Sequence, residues 1–324
     1  MKIAKTIVVG LFLSLFYISG IKGDYFSNNE ELQYGNTNGN IVNGGYALKI
    51  DDVIYISSET MPSEFVMYRY NLNTKTVEHL ANDCIGSLNF YNDLLYYSSS
   101  TGIVSTDKDG IIVDKYYDNF CRFIIHDNKI ILVDGTIFMI DIKNKEMNKL
   151  NNVASIDVNV IDDNIYYIAK SSSNIEDDGV DIYQYYGAGQ IHAMDIRGGN
   201  NRIISNEIVF NLIYNDNFLY FISIDNFKIG RIDLLTNQLE YITNDKYSNF
   251  NIDKNQIIAC NFKSTIDCLS TSGEILKSYQ LDPFPRDPYI NINDGLAFYH
   301  NFGYEQVNML DLNSGNTQVI IEMQ

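Results

Sequence analysis

The 324-residue sequence predicts an all-β fold, a β-propeller of four-stranded antiparallel blades, on three observations. A phrase of two turn-type polar residues followed by a short apolar and aromatic run recurs seven times, at a spacing of about 40 residues typical of one blade. The composition favours strands and turns over helices, with 45 Ile, 39 Asn, 25 Tyr and 17 Phe against 9 Ala. A hydrophobic content of 45% with only four prolines supplies enough apolar surface to offset chain entropy.

The elements follow in order. Lys2 and Lys5 precede an apolar run over residues 7–18, and small residues follow at Ser19, Gly20 and Gly23. Residues 1–23 read as a cleaved secretory signal, because the run is shorter than the roughly 20 apolar residues of a membrane span. Residues 24–42 become Asn/Gly-rich (Gly35, Asn36, Asn38, Gly39, Asn40) and read as a flexible lead-in. The alternative is an added edge strand that closes the ring. Residues 43–324 then form a single propeller domain.

Within that domain Tyr55, Tyr96, Ile131, Tyr166, Tyr220, Ile258 and Phe298 are equivalent, at intervals of 41, 35, 35, 54, 38 and 40. A second phrase, an apolar strand ending on Asp or Asn and a polar turn, follows at Tyr70-Asn71, Ile140-Asp141, Ile232-Asp233 and Leu310-Asp311. The unit is therefore strand, polar turn, strand, loop, strand, polar turn, strand, which is one blade. One twisted sheet buries little alone, so the units must pack on one another and close. Seven blades follow from the count. Six is the alternative, because the third and sixth copies lack their aromatic residue.

The recurring Ile-Tyr-Tyr after an acidic turn, as at residues 165–167, and the opening Asn43-Gly44-Gly45 resemble the clostridial secreted domain-of-unknown-function family DUF5050. That resemblance covers most of residues 43–324. It implies a low-density-lipoprotein-receptor-related propeller fold and an extracellular setting, and it implies no activity.

The chain carries 23 Lys and Arg against 41 Asp and Glu, a formal net charge of −18, with no basic cluster. Nucleic acid is excluded as a partner on that ground. No phosphate loop, dinucleotide fingerprint or Gly-x-Ser-x-Gly elbow is present. The histidines, His79, His126, His192 and His300, lack metal-type spacing, and His300, in a loop on the expected binding face, is the first to test.

The 54-residue interval places an insert over residues 171–190 between the second and third strands of the fourth blade. Its Tyr183, Tyr185 and Tyr186 could stack on sugar rings or enter a partner's pocket. Its Glu176, Asp177, Asp178 and Asp181 could supply oxygen ligands to Ca²⁺, the one cofactor considered. The plain alternative is a solvated acidic loop. The linker between the sixth and seventh blades holds three of the four prolines, and its Phe284, Arg286 and Tyr289 would form a stiff recognition loop. Cys260 and Cys268 would face each other across a turn centred on Ser264, which makes them disulfide candidates. Equally, they could be small buried apolar residues.

The expected function is a secreted, non-catalytic binding propeller, monomeric and without a membrane span once the signal is removed. Its partner would be a protein or glycan at the bacterial cell surface. The alternative is a secreted hydrolase or lyase using channel-lining carboxylates, with or without Ca²⁺.

Overall fold

All seven repeated residues lie on the second strand of a four-stranded antiparallel unit. These second strands are Val53–Met61, Leu94–Ser99, Lys129–Asp134, Asn164–Lys170, Phe218–Ser223, Gln256–Asn261 and Leu296–His300. The computed structural model describes residues 35–61, 64–170, 176–177, 180–181, 187–263, 265–281, 289–300 and 306–322. Five sheets have four strands in sequential order, and a sixth has seven. The seven-stranded sheet is two blades sharing one 14-residue strand, Arg202–Asn215. Its first part pairs with Gly189–Asp195 as the outer strand of blade 4. Its second part pairs with Phe218–Ser223 as the inner strand of blade 5. No connector interrupts it, and irregular pairing between Phe210 and Ile213 marks where the strand bends.

The turn chemistry explains the repeated polar pairs. At the first hairpin of each blade a residue takes positive φ, between +45° and +55° at Asp51, Asn92, Asp127, Asp162, Asp216, Lys254 and Asp294. Asp and Asn tolerate this conformation better than other side chains, and tight hairpins need it. At the last hairpin Asn71, Asp107, Asp141, Asp195, Asp233 and Asp311 each accept a hydrogen bond from the backbone N–H two residues on. These side chains copy a backbone turn. The Leu235 N–H holds the Asp233 carboxyl below the ordinary range, and the Ser314 hydroxyl, followed by the Asn313 N–H, does so for Asp311.

Stability resides between blades. Among the described residues seven apolar clusters fill the seven blade-to-blade junctions, each drawing on two neighbouring blades. The last joins Phe298, Val307 and Met309 of blade 7 to Ile54, Ile56 and Tyr70 of blade 1, so the ring closes. Closure needs no strand exchange, since both blades are sequential. Polar contacts reinforce the seam. Asn291 Oδ1 accepts from Ala47 N–H at 3.0 Å, and Lys49 pairs with Asp294 at 2.6 Å.

Within the expected lead-in, the described residues 35–42 depart from a flexible segment and from the edge-strand alternative. Residues 38–42 form a one-turn helix, Asn38–Val42, capped by the Thr37 side chain. This helix touches strands of blades 3 to 7 and stands on the ring axis. Asn40 and Asn43 are fully buried there.

Cys260 and Cys268 form no disulfide and are instead small buried apolar residues. The hairpin pairs Cys260 with Ile266 and Ile258 with Cys268, so the two cysteines are offset rather than opposite. Both are free thiols packed in the apolar junction of blades 6 and 7. Burial pushes the Cys268 thiol up to about 11 and the Cys260 thiol well above its usual value, which makes them poor nucleophiles.

Candidate functional site

A propeller's inner strands are sheet edges whose N–H and C=O groups point at the axis, and buried backbone groups need partners. An asparagine amide offers one donor group and one acceptor, matching a peptide unit. The axial segment uses this repeatedly. Asn36 Nδ2 donates to the carbonyls of Ala47 and Leu88, tying blade 1 to blade 2. Asn38 exchanges bonds with the Val160 backbone of blade 4. Asn40 does the same with Ile292 of blade 7, at 2.9 and 2.7 Å, and accepts from Asn251 of blade 6. Asn43 Nδ2 donates to Phe250 O of blade 6. The fit is close at Gly39, where a Cβ would stand 2.1 Å from Asn251 Oδ1.

Inner-strand asparagines continue the pattern between blades. Asn89 joins blade 2 to blade 3 through Phe123 O and Ile125 N–H, and Asn159 joins blade 4 to blade 5 through Leu212 O and Tyr214 N–H. The axis is thus filled by helix and amides.

What remains for function is the face carrying the blade connectors and the second-to-third-strand loops. Two cavities open there, on either side of the axial segment's exit. The first, about 260 Å³, lies between blades 3 and 4 and is lined by Val42, Phe120, Arg122, Asp134, Asp157 and Lys170 among others. The second, about 270 Å³, lies between blades 7 and 1, with Asn43, Tyr46, Ser58, Glu59, Tyr289 and His300 in its lining.

Arg122 and Tyr289 stand between the two cavities. The guanidinium donates to Val42 O at 3.1 Å, lies 3.7 Å from the Asp157 carboxylate and sits 5.8 Å from the centre of the Tyr289 ring. Burial raises the Asp157 pKa, while Arg122 and the backbone N–H of Leu212 pull it down. Tyr289 is 42% exposed, and its carbonyl accepts from the Tyr46 hydroxyl at 2.7 Å. Tyr46 in turn packs against the His300 ring at 4.7 Å. Burial lowers the His300 pKa to about 4, so the imidazole is neutral at neutral pH.

Replacing Arg122 with Met is expected to cost about 2 kcal/mol of stability at pH 7, because a buried carboxylate loses its partner while the half-exposed geometry limits the loss. The cost should shrink as pH falls, because burial raises the Asp157 pKa and the carboxyl takes up its proton earlier than an ordinary one. Urea unfolding of both proteins across pH 7 to 4 measures this, and a constant gap would reject the role given to the ion pair.

Of the expected site residues, Tyr289 and His300 are brought together in the second cavity. Tyr183, Tyr185, Tyr186, Asp178, Phe284 and Arg286 lie outside the described residues. The backbones of Glu176–Asp177 and Val180–Asp181 form a small antiparallel pair with Glu176 opposite Asp181. Among the described residues no group of three or more His, Cys, Asp or Glu is placed to hold a metal ion. Sequence reasoning missed Arg122, Asp157, Ser58 and Asn43. A lone Arg after Cys121 carries no motif, and Asn43 was legible only as part of the Asn43-Gly44-Gly45 phrase that opens the first unit.

No family model matches the chain, and no curated protein matches it in sequence. In fold it is similar to the computationally designed Ika8 protein, with a TM-score of 0.57 and 12% identity over 88% of this chain and 86% of that one. It is likewise similar to apo AztD from Citrobacter koseri, with a TM-score of 0.52 and 12% identity over 84% of this chain and 94% of that one. A third similar structure is a puromycin-hydrolyzing peptidase of Mycobacterium tuberculosis, with a TM-score of 0.62 and 8% identity, covering 90% of this chain and 56% of that longer one. At these identities the likeness is one of fold alone.

Proposed function

We propose that this protein is a secreted, non-catalytic binding propeller that recognises a protein or glycan at the bacterial cell surface through its connector face. The observation that carries the reading is the pair of cavities around Arg122 and Tyr289, on a ring whose axis is filled by its own amides. An exposed aromatic ring held by an arginine and a backbone hydrogen bond is a pre-organised anchor of the kind that dominates recognition surfaces. A hydrolase built on channel carboxylates has less support, because the side chains bonded across the axis are asparagines. The binding role requires no cofactor.

Capture from a glycan array and from cell-surface extracts tests the reading. Capture should fall at least tenfold in Tyr289→Ala, whose melting temperature should stay within 2 °C or so of the parent, as for most surface substitutions. Unchanged capture by that variant, or release of a cleaved product from captured material, would overturn it.

A further inference from the structure

The carboxylate of Asp157 is not accounted for by the backbone that carries it. The inner strands of blades 2, 4 and 5 bulge at the same point, with register shifts between Gly86 and Asn89, Ile156 and Asn159, and Phe210 and Ile213. Ser87, Asp157 and Asn211 occupy these bulges at φ of 50°, 48° and 54°. An uncharged polar side chain therefore serves this conformation in blades 2 and 5. Only blade 4 places a carboxylate there, and that side chain is 8% exposed. A charge set so deep costs free energy unless it has partners.

Its partners lead outward to the connector face. Asp157 Oδ2 accepts from the Leu212 N–H at 3.3 Å, and Oδ1 faces Arg122 Nη1 at 3.7 Å. The same Nη1 donates to Val42 O at 3.1 Å, and the guanidinium lies 5.8 Å from the centre of the Tyr289 ring. A buried acid, a half-exposed cation and an exposed aromatic ring thus form one chain from the interior to the surface. Among the described residues, Lys170 and Asp134 are the other charged groups around this cavity. The strand Arg202–Asn215 adds the backbone N–H groups of Asn211 and Leu212, and the axial helix has no titratable side chain. Burial is the largest influence on the Asp157 carboxyl and outweighs Arg122, the first of the opposing ones, so the folded protein takes up this proton above the ordinary 3.8.

We infer that Asp157 is a pH-sensing residue that regulates the Tyr289 anchor through Arg122. The inference rests on the binding role proposed above and adds its regulation. While the carboxylate is ionised, Arg122 is pinned on two sides and held within reach of the Tyr289 ring. Once the carboxyl is neutral, only the bond to Val42 O remains, and water competes for a cation whose side chain is 41% exposed. Tyr289 then loses a contact that orders its ring, and a partner must supply that ordering on binding. An exposed cation–π contact of this kind corresponds to about a two- to fivefold change in affinity.

Tyr289→Trp in the full chain provides a reporter, because the protein has no other Trp. Its fluorescence emission should shift as pH falls from 7 to 4. Asp157→Asn in the same background should remove that shift and show the low-pH emission already at pH 7. Asparagine suits the bulge, as Asn211 does in the next blade. The readout is the difference between the two proteins, since His300, linked to Tyr289 through Tyr46 and titrating at about 4, contributes the same step to both. Should Asp157→Asn not fold, Arg122→Met takes its place and should lose the same shift. Capture of material from the glycan array and cell-surface extracts should fall about two- to fivefold over the same pH range, and Asp157→Asn should remove that fall. An emission profile that the variant leaves unchanged would overturn the assignment. If capture occurs while neither it nor the emission depends on Asp157, the switch falls and the binding face stands. If the emission titrates through Asp157 while nothing is captured at either pH, the binding role falls and the coupling of Asp157 to residue 289 stands.

Discussion

Replacing Asn40 with leucine is expected to destabilise the protein by about 4 kcal/mol, the largest effect of any single side chain on the axis. The side chain is fully buried, and its amide meets four groups: Ile292 N–H and C=O, the Asn251 amide and Asn36 Oδ1. Leucine has a similar branched shape but is larger, and it leaves the Ile292 N–H and C=O without their asparagine partner, while Asn251 Nδ2 keeps Ile290 O and Asn36 Oδ1 keeps Thr37 N–H; each buried orphan costs about 1–3 kcal/mol before relaxation. Relaxation has little room here, because Gly39 already stands against Asn251. Asn40→Asp should fare no better. Its two oxygens could still accept from Ile292 N–H and Asn251, but they would face the Ile292 carbonyl and place a charge on a dry axis. The exposed Asn148 provides a control, expected to change stability by less than about 0.5 kcal/mol when replaced with Ala. With no Trp in the chain, urea unfolding is followed by tyrosine fluorescence and far-ultraviolet circular dichroism. A loss below about 1 kcal/mol for Asn40→Leu would show that the axial segment is a passenger rather than part of the ring.

The blades were legible because their information is local. Asp51, Asn92, Asp127, Asp162, Asp216 and Asp294 announce the first hairpin through conformations that their own side chains permit. The strand that follows must alternate or stay apolar to sit between two blades. The axial segment was not legible because its information is not local. Asn36, Asn38, Asn40 and Asn43 next to glycines have turn-like propensities, and what orders them is the convergence of inner-strand edges that exist only once the ring has closed. The unbroken strand Arg202–Asn215 gave a weaker hint: between Arg202 and Asn215 no Gly or Pro interrupts the run. The cysteine offset turned on where one hairpin's turn is centred, which composition does not determine.

The site was half legible for a similar reason. Tyr289 could be singled out because prolines stiffen the linker before it, and His300 because it ends a repeated strand on the loop face. Their partners come from elsewhere in the chain. Arg122 reaches Tyr289 from blade 3, and Tyr46 joins the two from the segment entering blade 1. A neighbour relation between residues 122 and 289 is a property of ring closure. No motif encodes it.

Between pH 6.5 and 4 the protein is expected to lose about 3 kcal/mol of stability through His300. Burial lowers its folded pKa from 6.5 to about 4. In that interval the unfolded chain binds a proton that the folded chain refuses, so stability falls as pH falls, by about 1.4 kcal/mol per unit. The contribution is complete above pH 6.5 and exhausted below about 4. His192, shifted down by the same cause, adds to the loss. Asp157 opposes it, because a carboxyl with a raised folded pKa binds its proton first in the folded state and gains stability as pH falls. The turn carboxylates Asp233 and Asp311, held below 3.8, act only at lower pH. The His300 share is therefore the difference in slope between the parent and His300→Phe, which keeps a ring against Tyr46. Parallel stability curves for the two proteins from pH 7 to 4 would reject the desolvated imidazole. A steeper parent curve would establish that His300 is held as an uncharged imidazole throughout the neutral range.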